Sequence, residues 1–318
     1  MFIIQSQSFN KGIKMGKHAY LIQAYNNFEF VEKLLAAVDD SRNDIFLHID
    51  KKASNVDRKK LAKNIHLSNL TFVDNVEVFW GRYSQITSEL NLLEAAIKNN
   101  HYDYYHLLSG ADLPIKSQDY IHEFFKKNNG KEFINFQAKN VLPDKLERVK
   151  YYYLFQKSDL RYNKTLYIAQ KLIVKLQKIV GINRIRKSSV KFQMGSNWFS
   201  ITDDLARYVI SKKPWIQKTF NFTANGDELF LQTIVENSNF KKRLYFNKYD
   251  DKERYEDGPS REANQRLIIW DWTSHKPTNL TMKNHSQIMD SDLLFARKFV
   301  PDLDTQIIEE VLKSINRK

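Results

Sequence analysis

The sequence of 318 residues contains no cysteine. Without thiols the chain can form no disulfide and no thiolate metal site, and it has no cysteine nucleophile. Such a chain suits a reducing compartment, and we expect the protein to be cytoplasmic. The first residues, MFIIQSQSFNKGIKMGK, hold an apolar run of only four residues, which is too short for a secretory signal or a membrane span. We therefore expect residues 1–17 to be a disordered leader or an artefact of start-site choice.

Glycine-rich phosphate-binding motifs are also missing. No predicted strand is followed by a dinucleotide fingerprint or a P-loop, which excludes the commonest nucleotide-binding designs but leaves nucleotide-sugar binding open. There is no internal repeat and no low-complexity tract, and the composition, 42% hydrophobic and 13% aromatic, is that of a globular protein. The length suffices for one large α/β domain or two small ones.

Positive charge is concentrated in one segment of the chain. The net charge is +13, and residues 139–191 hold fourteen lysines and arginines against three acidic residues. Such a stripe indicates an anionic partner, which would be membrane lipid, nucleic acid or a phosphorylated substrate. Within it, KTLYIAQKLIVKLQKIVG has helical spacing, with apolar residues on one side and lysines on another (Leu172, Leu176, Ile179 and Val180 against Lys171, Lys175 and Lys178). Such a helix either lies on a membrane surface or is a surface helix with solvated lysines, and the sequence leaves both open.

Apolar runs typical of buried strands alternate with helical spacing over the first half of the chain. The predicted strands are AYLIQAY (19–25), DIFLHID (44–50), LTFVD (70–74), YDYYHLLSG (102–110) and EFINFQ (132–137). This alternation predicts an α/β fold with a mainly parallel sheet, in which ligands bind at the carboxyl ends of the strands. Asp50 and Asp112 lie just there. Later strands are predicted within KFQMGSNWFSIT, RLYFNKYD and RLIIWDW, and DTQIIEEVLKSI is predicted as an amphipathic C-terminal helix.

Two adjacent carboxylates stand out in NGDELFLQTIVEN, residues 225–237. A turn leads into Asp227 and Glu228, and the apolar residues behind them are spaced to bury one face of a helix. A carboxylate at the start of a buried helix is held rigidly, as a general base has to be. Acidic residues are also common at helix N-termini simply because the helix dipole stabilises them there. From these residues alone, both interpretations stay open.

Six motifs in a fixed order carry a family resemblance. They are HID-KK at Asp50, FWGRYSQITSELNLL from Phe79, YYHLLSGADLPIKS from Tyr104, GSNWFSIT from Gly195, DELFLQT from Asp227 and LFARKF from Leu294. Each is a weak pattern, but in this order and spacing they resemble the core-2/I-branching β-1,6-N-acetylglucosaminyltransferase family, which also includes the peptide O-xylosyltransferases. The resemblance covers most of the chain, from about residue 20 to residue 299.

The resemblance implies an inverting glycosyltransferase with a GT-A-type fold, a mainly parallel central sheet flanked by helices. It would use a UDP-sugar without a metal and without a further cofactor. We expect a leader (1–17), one catalytic domain (18–300) with a basic helical insertion around 139–191, and a C-terminal helix (301–318). GlcNAc is the first expectation for the sugar, with xylose or another hexose as the alternative. The acceptor would be a hydroxyl of a glycan, with a lipid-linked glycan of surface polysaccharide assembly as a candidate.

The resemblance also implies roles for charged residues. Glu228 matches the family's catalytic base. Lys298 and, less securely, Arg266 match the basic side chains that neutralise the leaving diphosphate, with Arg297 as a helper. SGADLP contains Asp112 but no second aspartate, so the Asp-x-Asp metal motif of most GT-A enzymes is missing.

Four further residues complete the predicted site. Asp50 and Asp112 match positions near the uridine and the donor sugar, whereas Trp198 and Asp227 are predicted beside the acceptor. The expected partners are a UDP-sugar, a glycan acceptor and an anionic membrane surface, without nucleic acid.

Animal family members are Golgi proteins with an anchor and disulfides, so a chain lacking both resembles a bacterial relative, peripheral on the inner face of the cell membrane. Two other classes of function stay open: a glycosidase with two carboxylates, and a non-catalytic binder of anionic glycans or nucleic acid.

Overall fold

The computed structural model describes residues 16–137, 145–247, 262–271, 273 and 276–316. Most of the predicted leader, the start of the predicted basic insertion and the end of RLYFNKYD lie outside these residues. No helix in the described ranges is both long enough and apolar enough to cross a membrane.

The strands are short and mostly buried. In chain order they are β1 (His18–Ala24), β2 (Asn43–Ile49), β3 (Asn69–Phe72), β4 (Tyr104–Ser109), β5 (Asp112–Pro114), β6 (Phe133–Ile134), β7 (Phe199–Thr202), β8 (Arg266–Ile268), β9 (Trp270–Asp271), β10 (Lys276–Pro277) and β11 (Phe295–Arg297).

The helices connect and cover these strands. They are α1 (Phe28–Ala37), α2 (Arg58–Ala62), α3 (Tyr83–Asn99), α4 (Gln118–Lys127), α5 (Glu147–Lys150), α6 (Lys164–Ile179), α7 (Asp203–Ser211), α8 (Lys213–Phe220), α9 (Phe230–Glu236), α10 (His285–Met289) and α11 (Gln306–Ile315), with 3₁₀ turns at Gly226–Glu228, Asn239–Arg243 and Met282–Asn284.

The central layer is a six-stranded sheet in the order β3-β2-β1-β4-β7-β6. The first four strands in that order are parallel, and β7 and β6 each run antiparallel to the strand before them. A smaller sheet has the order β5-β11-β8, with β11 antiparallel to β5 and parallel to β8. The prediction of an α/β fold with a mainly parallel sheet flanked by helices is confirmed.

Both faces of the central sheet are buried because every strand alternates its side chains between two cores. Leu21 aligns with Phe46 and Leu107, and these three side chains pack in the core that contains α3, α7 and α9. Ile22 aligns with Leu47 and Leu108, which pack in the opposite core with α1, α4 and the C-terminal helix α11. Because a core covers each face of the sheet, the strand sequences are nearly continuous apolar runs rather than alternating apolar and polar residues.

Four local predictions differ from the structure. NGDELFLQTIVEN is not one helix, because the 3₁₀ turn at Gly226–Glu228 is followed by an irregular Leu229 before α9 begins. EFINFQ and KFQMGSNWFSIT form strand only at β6 and β7, and the described part of RLYFNKYD makes a single bridge, from Leu244 to Glu132. Backbone paths here are set by contacts with distant segments, which residue spacing does not report.

Candidate functional site

The loops that follow the parallel strands meet at one edge of the sheet. The amide of Asp50, just after β2, donates to the carbonyl of Ala24 at the end of β1 (2.8 Å), and the amide of Gly110, just after β4, donates to that of Gln23 (2.7 Å). Carboxyl ends of parallel strands are where α/β proteins bind ligands.

Glu228 lies in the 3₁₀ turn before α9 and is held by an arginine that sequence reasoning missed. Arg148, on the short helix α5, donates from Nη1 to Glu228 Oε2 at 2.5 Å. The Glu228 side chain is 34% exposed, and its Oε1 makes no hydrogen bond within the described ranges. One carboxylate oxygen is therefore fixed by a cation while the other faces outward.

Two buried carboxyl groups lie behind Glu228, and we call Glu89, Asp227 and Glu228 the acid cluster. Asp227 is 4% exposed and Glu89, from the middle of α3, is 1% exposed. Gln85 Nε2 donates to Asp227 Oδ2 (3.1 Å), whereas Asp227 Oδ1 and both oxygens of Glu89 have no hydrogen-bond partner among the described residues. Of the three carboxyl groups, Glu228 is thus the one that a substrate can reach.

Burial favours the protonated form of the inner two carboxyl groups. Burial first, and then the charge of Glu228, raises the pKa of Asp227 to about 7. Burial, followed by the charge of Asp227, raises the pKa of Glu89 well above its ordinary value, and the nearby side chain of Asn197 opposes this in part. Glu89 therefore favours its neutral, protonated form more strongly than an exposed glutamate does. The acid cluster carries less negative charge than its composition suggests.

The turn that carries Asp227 and Glu228 is fixed by the FWGRYSQIT motif. The amide of Asn225 donates to the carbonyl of Gly81 (2.9 Å), and Gln85 reaches Asp227 from the first turn of α3. Gly81 has φ 69°, a left-handed conformation that glycine adopts without strain. Two of the motifs that carry the resemblance thus meet in space and define one turn.

A basic pair lies on the smaller sheet at the same edge. Arg297, the last residue of β11, is directly opposite Asp112 on β5, and its Nε donates to Asp112 Oδ1 at 3.0 Å. The other contacts of the Asp112 carboxylate come from the amide and hydroxyl of Ser109, both at 2.8 Å. The guanidinium also lies 4.3 Å from the ring centroid of Trp198, which is almost completely buried. Asp112 and Trp198, predicted as ligand contacts, here fix the position of Arg297.

Lys298 follows Arg297 and is the less constrained of the two. Its carbonyl accepts from the amide of Leu280 (2.9 Å), which fixes its backbone. The side chain is partly exposed, and its ammonium has no ion pair or hydrogen bond to any residue that the structure describes. Arg297 and Lys298, the basic pair, therefore offer a positioned cation beside a free one.

Residues 195–198 form a loop that contacts Glu228 at one end and Arg297 at the other. The amide of Gly195 donates to the carbonyl of Glu228 (2.9 Å), and Trp198 lies under Arg297. Since consecutive Cα atoms are about 3.8 Å apart, the two ends of this loop are within roughly 11 Å. A Cβ on Gly195 would lie 1.8 Å from the carbonyl oxygen of Asn135, so this glycine serves a close approach of two backbones rather than of a ligand.

Arg266 is buried, whereas Asp50 lies at the predicted edge of the sheet. Arg266 is 1% exposed, and its guanidinium donates to the carbonyls of Asn264, Leu107 and Phe199, so it is not accessible to a diphosphate in this structure. Burial lowers its pKa to about 9. Asp50 lies at the expected edge, where its carboxylate accepts from the amide of Lys52 (2.9 Å).

Two members of the site were missed for different reasons. Glu89 lies between Ile86 and Leu93 on the buried face of α3, and a charged residue among such apolar neighbours was a usable signal. Arg148 lies within a long basic run, where nothing distinguishes it from its neighbours. Within the described ranges, no group of three or more histidine or acidic side chains could hold a metal ion.

Comparisons with known proteins show which family this chain resembles. The model of the Core-2/I-Branching enzyme family matches residues 18–293. Xylosyltransferase oxt of Drosophila melanogaster is 22% identical over 292 residues, covering 87% of this chain and 31% of that protein. The rat protein named beta-1,3-galactosyl-O-glycosyl-glycoprotein beta-1,6-N-acetylglucosaminyltransferase 3 is 26% identical over 138 residues, covering 42% of this chain and 31% of that protein.

The chain thus spans about a third of the length of these relatives. Among solved structures, mouse xyloside xylosyltransferase 1 in its apo form aligns with a TM-score of 0.34 and 11% identity, covering 87% of this chain and 96% of that one. The family match extends over all the strands from β1 to β10 and includes the acid cluster. The chain belongs to the core-2/I-branching enzyme family.

Proposed function

We propose that the protein is an inverting, metal-independent transferase that moves a sugar from a UDP-sugar to a hydroxyl of a glycan acceptor in surface polysaccharide assembly. The observation that carries the proposal is the exposure of the Glu228 carboxylate together with its contact to Arg148. It is the accessible carboxylate of the acid cluster, aimed by Arg148 through Oε2 and free at Oε1. This is the arrangement that a general base needs, since it must be rigid and must reach the acceptor.

In the proposed reaction Glu228 Oε1 takes the proton of the acceptor hydroxyl. The acceptor oxygen attacks the anomeric carbon from the side opposite UDP, forming the new glycosidic bond as the bond to the diphosphate oxygen breaks. UDP leaves with the bonding electron pair, and the configuration at the anomeric carbon inverts. A single displacement of this kind needs one base and a stabilised leaving group, but no covalent intermediate.

Arg297 and Lys298 are proposed to receive the charge of the departing diphosphate. Arginine suits bidentate contact with phosphate oxygens, and a lysine ammonium acts as a mobile point charge. Asp112 and Trp198 hold the guanidinium in place, while the ammonium of Lys298 has no competing partner within the described part of the chain. These cations would serve where many glycosyltransferases use a metal.

The donor sugar is proposed from the relatives. GlcNAc is our first proposal, and xylose is the alternative, since the two relatives compared above are named as an N-acetylglucosaminyltransferase and a xylosyltransferase. A lipid-linked glycan is a candidate acceptor.

Lys298→Ala is expected to weaken UDP binding by about tenfold or more. The substitution removes a charge-assisted contact to phosphate, which is worth roughly 1.5–3 kcal/mol. Transfer should also slow, because the charge on the leaving group is greatest in the transition state. Calorimetric titration with UDP measures the affinity. Lys283→Ala, an exposed lysine in a 3₁₀ turn, is the control with the same change in net charge. If both variants bind UDP equally well, the assignment of Lys298 is wrong.

A further inference from the structure

The inward side of helix α6 combines two buried glutamines with the partly buried Ile173 and Val174. Gln170 and Gln177 are its buried residues, and both are used to hold the extended segment beside them. Gln177 Oε1 accepts from the amide of Tyr152 (2.7 Å) and Gln170 Oε1 from that of Leu154 (2.9 Å). The side-chain amide groups of Gln170 and Gln177 also donate to the carbonyl of Tyr152, at 3.3 Å and 3.0 Å respectively. The contact of α6 with the rest of the protein is therefore partly a hydrogen-bonded one.

Five apolar residues of α6 and its C-terminal end point away from the protein. Those on its outer side are between 48% and 71% exposed, and they are Ile168, Leu172, Leu176, Ile179 and Val180. The first four follow one another at intervals of four, four and three residues, so they form one row along the helix. A surface helix of a globular protein normally shows the reverse arrangement, with its apolar stripe on the core. This row is an apolar strip that nothing in the described structure covers.

Lysines flank the row on one side. Lys164, Lys171 and Lys175 are exposed and share a neighbouring face of the helix, and the exposed Arg186 and Lys187 follow α6. We call the apolar row together with these three lysines the α6 face.

We infer that the α6 face docks on a phospholipid bilayer with anionic headgroups. The helix would lie in the plane of the interface, with the apolar row in the acyl boundary and the lysine ammonium groups among the headgroups. The 16 residues of α6 give a contact about 24 Å long. The inference goes beyond the proposed transfer reaction and does not depend on it, since no sugar takes part.

Charge decides between this occupant and a second copy of the chain. Residues 139–191 have an excess of eleven positive charges, so a symmetric dimer through the α6 face would bring two strongly basic surfaces together. An anionic bilayer satisfies the lysines and the apolar row at once.

The α6 face is connected to the acid cluster through the main chain. The segment held by Gln170 and Gln177 follows directly after α5, which supplies Arg148 to Glu228. The amide of Tyr153 donates to the carbonyl of Phe222 (2.9 Å), and the amide of Ala224 to that of Arg148 (3.2 Å). Docking would therefore set the position of the acid cluster relative to the bilayer.

The first test uses the absence of cysteine. Leu176→Cys and Leu303→Cys each create a single labelling site, at leucines that are 60% and 56% exposed. An environment-sensitive fluorophore at 176 should shift to the blue with vesicles of phosphatidylcholine and phosphatidylglycerol, and lipids carrying a quencher should quench it. The label at 303 should show neither effect. Equal responses at the two sites, or none, would overturn the proposal.

The second test is vesicle flotation with matched variants. Replacing Lys164, Lys171 and Lys175 with glutamine should weaken binding on the order of a hundredfold, and added salt should weaken wild-type binding. Leu172→Gln with Leu176→Gln should abolish binding, whereas Leu67→Gln with Leu303→Gln should not, although those leucines are as exposed (63% and 56%).

Equal wild-type binding to pure phosphatidylcholine contradicts the role of charge. If the protein self-associates without lipid, and the Leu172→Gln, Leu176→Gln double variant does not, the α6 face binds a second copy of the chain instead of a bilayer.

Discussion

Glu228→Gln is expected to slow sugar transfer by about 10²- to 10⁴-fold and to leave the affinity for UDP nearly unchanged. Loss of a general base typically costs this much in rate. Glutamine keeps the shape of the side chain but cannot accept the proton of the acceptor hydroxyl. UDP binding should persist because the proposed diphosphate contacts are Arg297 and Lys298. The rate of transfer and a calorimetric titration with UDP, made on the same preparation with an unchanged melting temperature, separate the two effects.

Arg148 supplies the internal control for this result. Because its contact is to Glu228 Oε2, Arg148→Gln should also slow transfer, but by less than Glu228→Gln. The double variant should be no slower than Glu228→Gln alone, since Arg148 acts through the carboxylate that is already lost. If Glu228→Gln abolishes UDP binding while Lys298→Ala retains it, the two roles have been assigned the wrong way round.

Glu89→Gln is expected to stabilise the protein at neutral pH, by an amount that grows as the pH rises. In the folded protein, burial and Asp227 raise the pKa of Glu89 well above its ordinary value of 4.5. Above pH 4.5 the unfolded chain therefore holds fewer protons than the folded one at this group. Folding must then take up a proton, so the contribution of Glu89 to stability falls as the pH rises towards the folded pKa. Glutamine carries no titrating proton and lacks this effect.

The size of the effect follows from the linkage relation. The difference in free energy of unfolding between variant and wild type should increase with pH above 4.5, by at most about 1.4 kcal/mol per pH unit. Urea denaturation at pH 5 and pH 7.5 measures it. The histidines whose pKa burial lowers titrate in both proteins and cancel in the comparison; they are His18, His48, His106 and His122. Glu123→Gln, on the exposed side of α4, controls for loss of a surface carboxylate. An equal difference at the two pH values would mean that Glu89 is ionised in the folded state.

The central sheet could be predicted because its determinants are local. Apolar runs such as Ala19–Ile22 are long enough, and regular enough, to identify strands that are buried on both faces. Glu228 could be chosen from the DELFLQT motif, and the basic pair from LFARKF. The contact between Arg148 and Glu228 could not, because it joins residues 80 positions apart and Arg148 lies in a run of similar charges.

Helix α6 shows more generally what residue spacing does not predict. Its spacing identifies which residues share a side of the helix, but not which side packs against the protein. The usual expectation places Leu172 and Leu176 inward, whereas the structure buries Gln170 and Gln177, because these glutamines bind the backbone around Tyr152. Arg266 illustrates the same limit for a charge, since a motif match identifies the residue but not whether its guanidinium is exposed.

The most direct measurement is release of UDP from a panel of UDP-sugars incubated with the purified protein in excess EDTA, with and without glycan acceptors. The proposed function predicts slow release from at least one UDP-sugar by hydrolysis, UDP-GlcNAc or UDP-xylose first, with faster release when a suitable acceptor is present and undiminished release in EDTA. No release from any UDP-sugar, or release that EDTA abolishes and manganese restores, would contradict a transferase that relies on Arg297 and Lys298 in place of a metal.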